Sequence, residues 1–114
     1  MQIFINYLFY HKIKMLQLNK NNFEKEIKDK AVVIDCYADW CAPCRILSPI
    51  FEEISKEVKN VKFFKLDVDE NSEIASKYSI LSIPTILLIK NGKEVDRIIG
   101  LTSKENLKSR IEKI

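Results

Sequence analysis

Histidine, glycine, proline and cysteine are all scarce in this chain of 114 residues, which holds one, two, three and three of them. Each shortage excludes something. Structural zinc needs about four ligands, and Cys36, Cys41, Cys44 and the distant His11 are a poor set for one chain. Two glycines cannot build a glycine-rich loop, so nothing here cradles NADPH or a flavin. Three cysteines do not make a disulfide framework. A pair plus one odd thiol fits a reducing, cytoplasmic setting, where disulfides are transient. The formal charge is only +3 and the lysines are scattered, which argues against nucleic-acid binding. No apolar run is long enough to span a bilayer, so no transmembrane helix is expected.

What is present is ordinary for one soluble domain: 46% hydrophobic and 31% charged residues, at a length sufficient for a real core. The exception is the start. Ile3, Phe4, Ile5, Tyr7, Leu8, Phe9 and Tyr10 are nearly contiguous. Lys12 and Lys14 follow this run instead of preceding it, and no small-residue cleavage site appears. We divide the chain into an apolar leader, 1–14, and a domain, 15–114. The leader admits three readings: a dispensable segment upstream of Met15, an extra apolar strand or helix that covers the domain or binds a partner, or a degenerate export or membrane-surface signal.

The domain alternates strand and helix patterns. Met15 to Leu18 reads as a short strand, and Asn21 or Asn22 as the cap of a helix presenting Phe23 and Ile27. Ala31–Tyr37 is an apolar run of buried-strand type. Leu47, Ile50, Phe51, Ile54 and Val58 form one helical stripe, with Pro49 expected to kink that helix. A strand over Val61–Val68 and a helix over about Ser72–Tyr78 follow. Thr85–Ile89 and Val95–Ile99 flank Asn91-Gly92, a strong hairpin signal. Thr102-Ser103-Lys104-Glu105 reads as a capping box, opening a helix with Leu107, Ile111 and Ile114 on its apolar face. The order β-α-β-α-β-α-β-β-α implies an α/β fold: a mixed central sheet with helices on both faces.

The chemistry concentrates in Trp40-Cys41-Ala42-Pro43-Cys44. Two thiols two residues apart close a ring that constrains almost no chain, which suits a redox couple better than a staple. Pro43 is at home in a first helical turn. Cys41 is thereby placed at a helix N-terminus, whose dipole favours the thiolate that attacks disulfides. Cys44, one turn further in, is the candidate resolving thiol. Asp35 is a carboxylate in an apolar strand, so its pKa should rise toward neutrality. It is then suited to take the Cys44 proton. Cys36, next to it, points to the opposite sheet face and reads as a small buried hydrophobe. Ile83-Pro84 reads, on its own, as a strand start.

From about Met15 to Ile114 these elements resemble the thioredoxin family: Asp35 before the motif, Trp40 to Cys44, Pro49 within the second helix, Lys65 on the third strand, Ile83-Pro84-Thr85, Asn91-Gly92 and Gly100. The resemblance implies the thioredoxin fold, a cis bond at Pro84, and Lys65 as the counter-charge of Asp35. It implies a protein-disulfide reductase that works through a redox-active Cys41–Cys44 disulfide, as a monomer, with no other cofactor and no metal. Its partners would be disulfide-bearing client proteins and a separate flavoprotein of the thioredoxin reductase type, which returns the electrons. Trp40, Ala42, Pro43, Ile83, Ile99, Gly100 and Leu101 would form an apolar surface around Cys41, with the Ile83 backbone pairing an extended client peptide. Ala42 and Ser82 stand where the family commonly has glycine, and Tyr37 where some members have tryptophan. No histidine lies between the cysteines to stabilise the reduced form, so a reducing couple is expected. Thioredoxins themselves set the scale: about −270 mV for the couple and a pKa of about 7 for the first thiol. Two other functions fit the same residues: an exported thiol reductase for a single client such as an apocytochrome, and a redox-independent binding subunit.

Overall fold

A computed structural model describes residues 15–114. The leader, His11 included, lies outside the described residues. The strands are β1 (Leu16–Gln17), β2 (Ala31–Tyr37), β3 (Lys62–Asp67), β4 (Thr85–Lys90) and β5 (Lys93–Ile99). The helices are α1 (Phe23–Glu26), α2 (Ala42–Glu57), α3 (Ser72–Lys77) and α4 (Lys104–Glu112). This is the expected element order.

The five strands form one sheet in the order β1-β3-β2-β4-β5. β3 runs parallel to both β1 and β2, while β4 is antiparallel to β2 and to β5. β2 therefore sits at the centre, and six of its seven residues are buried. That is why its sequence is a continuous apolar run rather than an alternation. Asn91 and Gly92 both take positive φ, 51° and 83°, and turn β4 into β5, as a tight hairpin requires.

Each face of the sheet carries its own core. On one face Val33, Ile86, Leu88 and Ile98 meet Leu47, Phe51 and Ile54 of α2 and Leu107 and Ile111 of α4. On the other, Val32, Ile34, Cys36, Leu87 and Ile89 meet Phe23 and Ile27 from the α1 segment, with Ile74 and Tyr78 from the α3 segment packed alongside. The strand alternation decides this division: odd-numbered β2 residues look toward α2, even-numbered ones away from it. α2 runs unbroken through Pro49.

Two capping expectations need correction. α4 is capped by Ser103, whose hydroxyl accepts from the Asn106 backbone N–H at 3.1 Å. Thr102 instead accepts from the Asn106 side chain. The helix begins one residue later than a Thr102–Glu105 box requires, because Asn106 satisfies both hydroxyls. Asn22 does occupy the cap of α1. Its side chain, however, turns back to accept from the Asn19 N–H at 2.8 Å, and gives α1 no capping bond.

Phe51 is fully buried and meets Phe63 edge-to-face, with ring centroids 5.3 Å apart. Phe51→Ala should cost about 3–5 kcal/mol, a large share of a typical domain's stability. Urea unfolding of the oxidised protein measures it; a loss below about 1 kcal/mol would show that α2 is not seated through this residue.

Candidate active site

β2 delivers the chain to the top of the sheet, and the turn after Tyr37 leads into α2. Cys41 is the N-cap of α2, with extended backbone, and its Sγ accepts from the Cys44 N–H at 3.2 Å. Pro43 lies in the first turn, where the missing N–H removes no helical bond. Cys41 and Cys44 are joined by a disulfide, their Cα atoms 5.3 Å apart. The sulfur of the first cysteine thus sits at the positive end of a long helix, the placement that favours a thiolate once the bond opens.

Although it caps the helix, Cys41 does not stand proud of the surface. The residue is only 4% exposed. In the oxidised state its sulfur is packed against Cys44, and Ala38, Tyr37, Val68 and Ile83 close around the pair. Access is through a groove of about 410 Å³ with Trp40, Cys41, Ala42 and Pro43 on one wall and Ile80 to Ile83 on the other. The Ile83 carbonyl oxygen lies 3.9 Å from Cys41 Sγ. The Ile83–Pro84 bond is cis. The Thr85 hydroxyl donates to the Ser82 carbonyl at 2.7 Å and ties this wall down.

Several apolar side chains lie open near the groove. Trp40 is 68% exposed, and Ile99 and Leu101 are also exposed. Gly100 takes φ +86° and donates its N–H to the Pro84 carbonyl at 2.8 Å. That bond brings Ile99 and Leu101 to the cis-proline wall.

Asp35 is wholly buried, and neither carboxylate oxygen has a hydrogen-bond partner. Desolvation raises its pKa to about 6, against the lowering pull of Lys65 and with a smaller raising push from Glu52. Lys65 is Asp35's register partner on β3, but the two form no ion pair. The lysine ammonium donates to the Ser48 hydroxyl at 2.6 Å and lies 4.6 Å from the Tyr37 ring centroid. Its effect on Asp35 is that of a nearby field, not of a contact. A second, smaller cavity of about 150 Å³ reaches Cys44 from the side, between Tyr37, Ser48 and Lys65. Cys36 is buried on the opposite face, where burial pushes its thiol far up, out of reach of ionisation.

Several residues at the site were missed in the sequence. Asp69 accepts from the Trp40 indole N–H at 2.7 Å. Leu81 is 94% exposed at the groove rim. Ser48 holds the Lys65 ammonium. Only the exposed leucine had any signal, an apolar residue inside the irregular segment before Pro84. The bonds of Asp69 and Ser48 join residues remote in sequence. Among the described residues no group of three or more His, Cys, Asp or Glu side chains is arranged to hold a metal. None of their helices is long and apolar enough to cross a membrane.

Comparison with known proteins points one way. The Thioredoxin family model matches residues 14–113. Thioredoxin of Rickettsia bellii is 51% identical over 89 residues, 75% of this chain and 85% of that protein. Thioredoxin of Chlamydia pneumoniae is 43% identical over 96 residues, 84% of this chain and 94% of the relative. Among solved structures, oxidised mitochondrial thioredoxin 3 of Saccharomyces cerevisiae superposes with a TM-score of 0.83 at 32% identity, covering 91% of this chain and 99% of its own. Plasmodium falciparum thioredoxin gives 0.81 at 38% identity, covering 87% and 98%.

The buried acid has a measurable signature. The rise of Asp35 from 3.8 to about 6 corresponds to about 3 kcal/mol against its ionised form. The folded chain holds this proton where the unfolded chain has lost it, so Asp35 lowers stability progressively from about pH 4 to about pH 6, and by a constant amount above. In Asp35→Asn that loss disappears. The stability gap between variant and wild type, by guanidinium unfolding of the oxidised proteins, should move in the variant's favour by about 2.5 kcal/mol between pH 4 and pH 8. A pH-independent gap would show that the carboxyl titrates normally.

Proposed function

The chain belongs to the thioredoxin family, and from that membership we propose the division of labour by which its residues reduce protein disulfides. It is a thiol-disulfide oxidoreductase acting by dithiol–disulfide exchange. The observation that carries the reading is the Cys41–Cys44 disulfide at the N-terminus of α2, opening on an apolar groove.

In the reduced protein Cys41 is the nucleophile. Its thiolate attacks one sulfur of a client disulfide, a mixed disulfide forms, and the other client sulfur leaves as a thiolate that takes up a proton. Cys44 resolves the intermediate. Asp35 accepts the Cys44 proton, the Cys44 sulfur bonds to Cys41 Sγ, and the bond from Cys41 to the client breaks. The client gains two electrons and leaves as a dithiol, while this chain is left as the disulfide seen here. Burial supports the role of Asp35, since a carboxyl poised near neutrality is the more effective base at physiological pH. Lys65 supplies positive potential beside it. Ala42 and Pro43 tune the couple from between the cysteines.

Trp40, Ile83, Pro84, Ile99, Gly100 and Leu101 receive the client. The Ile83 backbone pairs with an extended peptide, and the apolar rim takes the flanking side chains. Thioredoxins act on disulfide-bearing clients and are recharged by a reductase. For this chain we place the recharging partner in the flavoprotein class, the working state as a monomer, and the compartment as the cytoplasm. The disulfide itself is the only redox group the reaction requires. Residues 15–114 form the working domain in this reading.

Insulin reduction with dithiothreitol as electron source tests the proposal. The wild type should be active, Cys41→Ser inactive, and Cys44→Ser trapped as a mixed disulfide with its client. Asp35→Ala should slow the resolving step by about 10²-fold or more at neutral pH. Equilibration with glutathione should give a potential well below about −200 mV; a value above that would make the protein an oxidant. A partner phenotype equal for wild type and Cys41→Ser would make it a redox-independent binding subunit.

A further inference from the structure

The Lys65 ammonium lies beside a buried carboxyl with no partner, yet it bonds elsewhere. Asp35 and Lys65 face each other across the β2–β3 pair. Neighbouring strands lie only about 4.8 Å apart, so register partners on one face are within reach of each other. The Asp35 oxygens nevertheless have no partner, while the ammonium is held by the Ser48 hydroxyl on α2 at 2.6 Å and by the Tyr37 ring at the end of β2. The Tyr37 ring is itself fixed, its hydroxyl lying 3.2 Å from Gln17 Oε1. Ser48, Tyr37 and Lys65 also line the small cavity that reaches Cys44. Neither anchor belongs to the residues assigned above to catalysis or client binding.

We propose that Ser48 and Tyr37 are positioning residues for the resolving step: they hold the Lys65 ammonium beside Asp35 without letting it pair, which leaves that carboxyl free to take the Cys44 proton. The proposal rests on the reductase reading and deepens it. A full ion pair would occupy the lone pairs that must receive the proton, and would make the carboxylate a weaker base. With the ammonium removed altogether, the buried carboxylate would lose the positive charge that favours its ionised form. An ammonium tethered nearby avoids both outcomes. The other groups facing Asp35 do not alter the argument. Glu52 of α2 acts on it with a like charge, Ile86 of β4 opposes it with an apolar side chain, and the Cys44 sulfur is tied up in the oxidised state.

The test reads Asp35 directly, through the pH dependence of its side-chain carboxyl carbon by NMR in the oxidised protein. In Ser48→Ala the ammonium loses its hydroxyl and closes on the carboxyl, so the midpoint falls below the wild-type value of about 6 by about one pH unit or more. Tyr37→Leu moves it in the same direction. Ser48→Thr, which keeps the hydroxyl, leaves it in place. In a Lys65→Met background Ser48→Ala has no effect. An unmoved or raised midpoint in Ser48→Ala, or a shift that survives Lys65→Met, overturns the proposal. Insulin reduction by the wild type separates the two levels: an inactive wild type ends the reductase reading and this one with it, whereas an active wild type with an unmoved Ser48→Ala midpoint ends only this one.

Discussion

The seating of α2 on the sheet is the constraint from which the site follows. Leu47, Phe51 and Ile54 are fully buried against Val33, Ile86 and Leu88. Each such side chain contributes about 1.5–3 kcal/mol on burial. Together they outweigh the cost of about 3 kcal/mol set by Asp35 under the same helix. This surplus lets the fold keep an unsatisfied carboxyl in its interior. It also fixes the direction in which the N-terminus of α2 points, and with it the field at the Cys41 sulfur.

Two opposed demands meet at that terminus. In the proposed mechanism the attacking sulfur needs solvent access and a stabilised charge, and the resolving proton needs a low-dielectric acceptor. α2 separates them by one turn. Cys41 faces the groove bounded by Trp40 and Ile83, while Cys44 borders the smaller cavity where Lys65 sits. The oxidised state narrows the difference, because the bonded sulfurs shield one another and both cysteines count as buried. The disulfide therefore lies along the groove floor, between two apolar walls, not at a projecting tip.

Much of this was legible in the chain. The β2 run, the hairpin at Asn91-Gly92 and the apolar stripe of α2 are local patterns, and local patterns survive folding when they agree with one another. The capping of α4 was misjudged by one residue, since Thr102 and Ser103 are chemically alike and only the geometry of Asn106 chooses between them. Lys65 was assigned to Asp35 as the counter-charge that the family resemblance implies. The competing attractions, a hydroxyl on α2 and an aromatic ring at the end of β2, come from segments that the sequence keeps apart.

The order of residues alone determined which atoms are candidates for the chemistry: a thiol pair two residues apart, an acid in an apolar strand, a proline in a first helical turn. Those are properties of short stretches, set by backbone geometry and side-chain identity. Tertiary structure decided how the atoms are tuned. Desolvation of Asp35, the tether on Lys65, the Asp69 bond that holds Trp40, and the depth of Cys41 all arise where distant segments meet. Their strength depends on distance and on the exclusion of water, which packing alone sets.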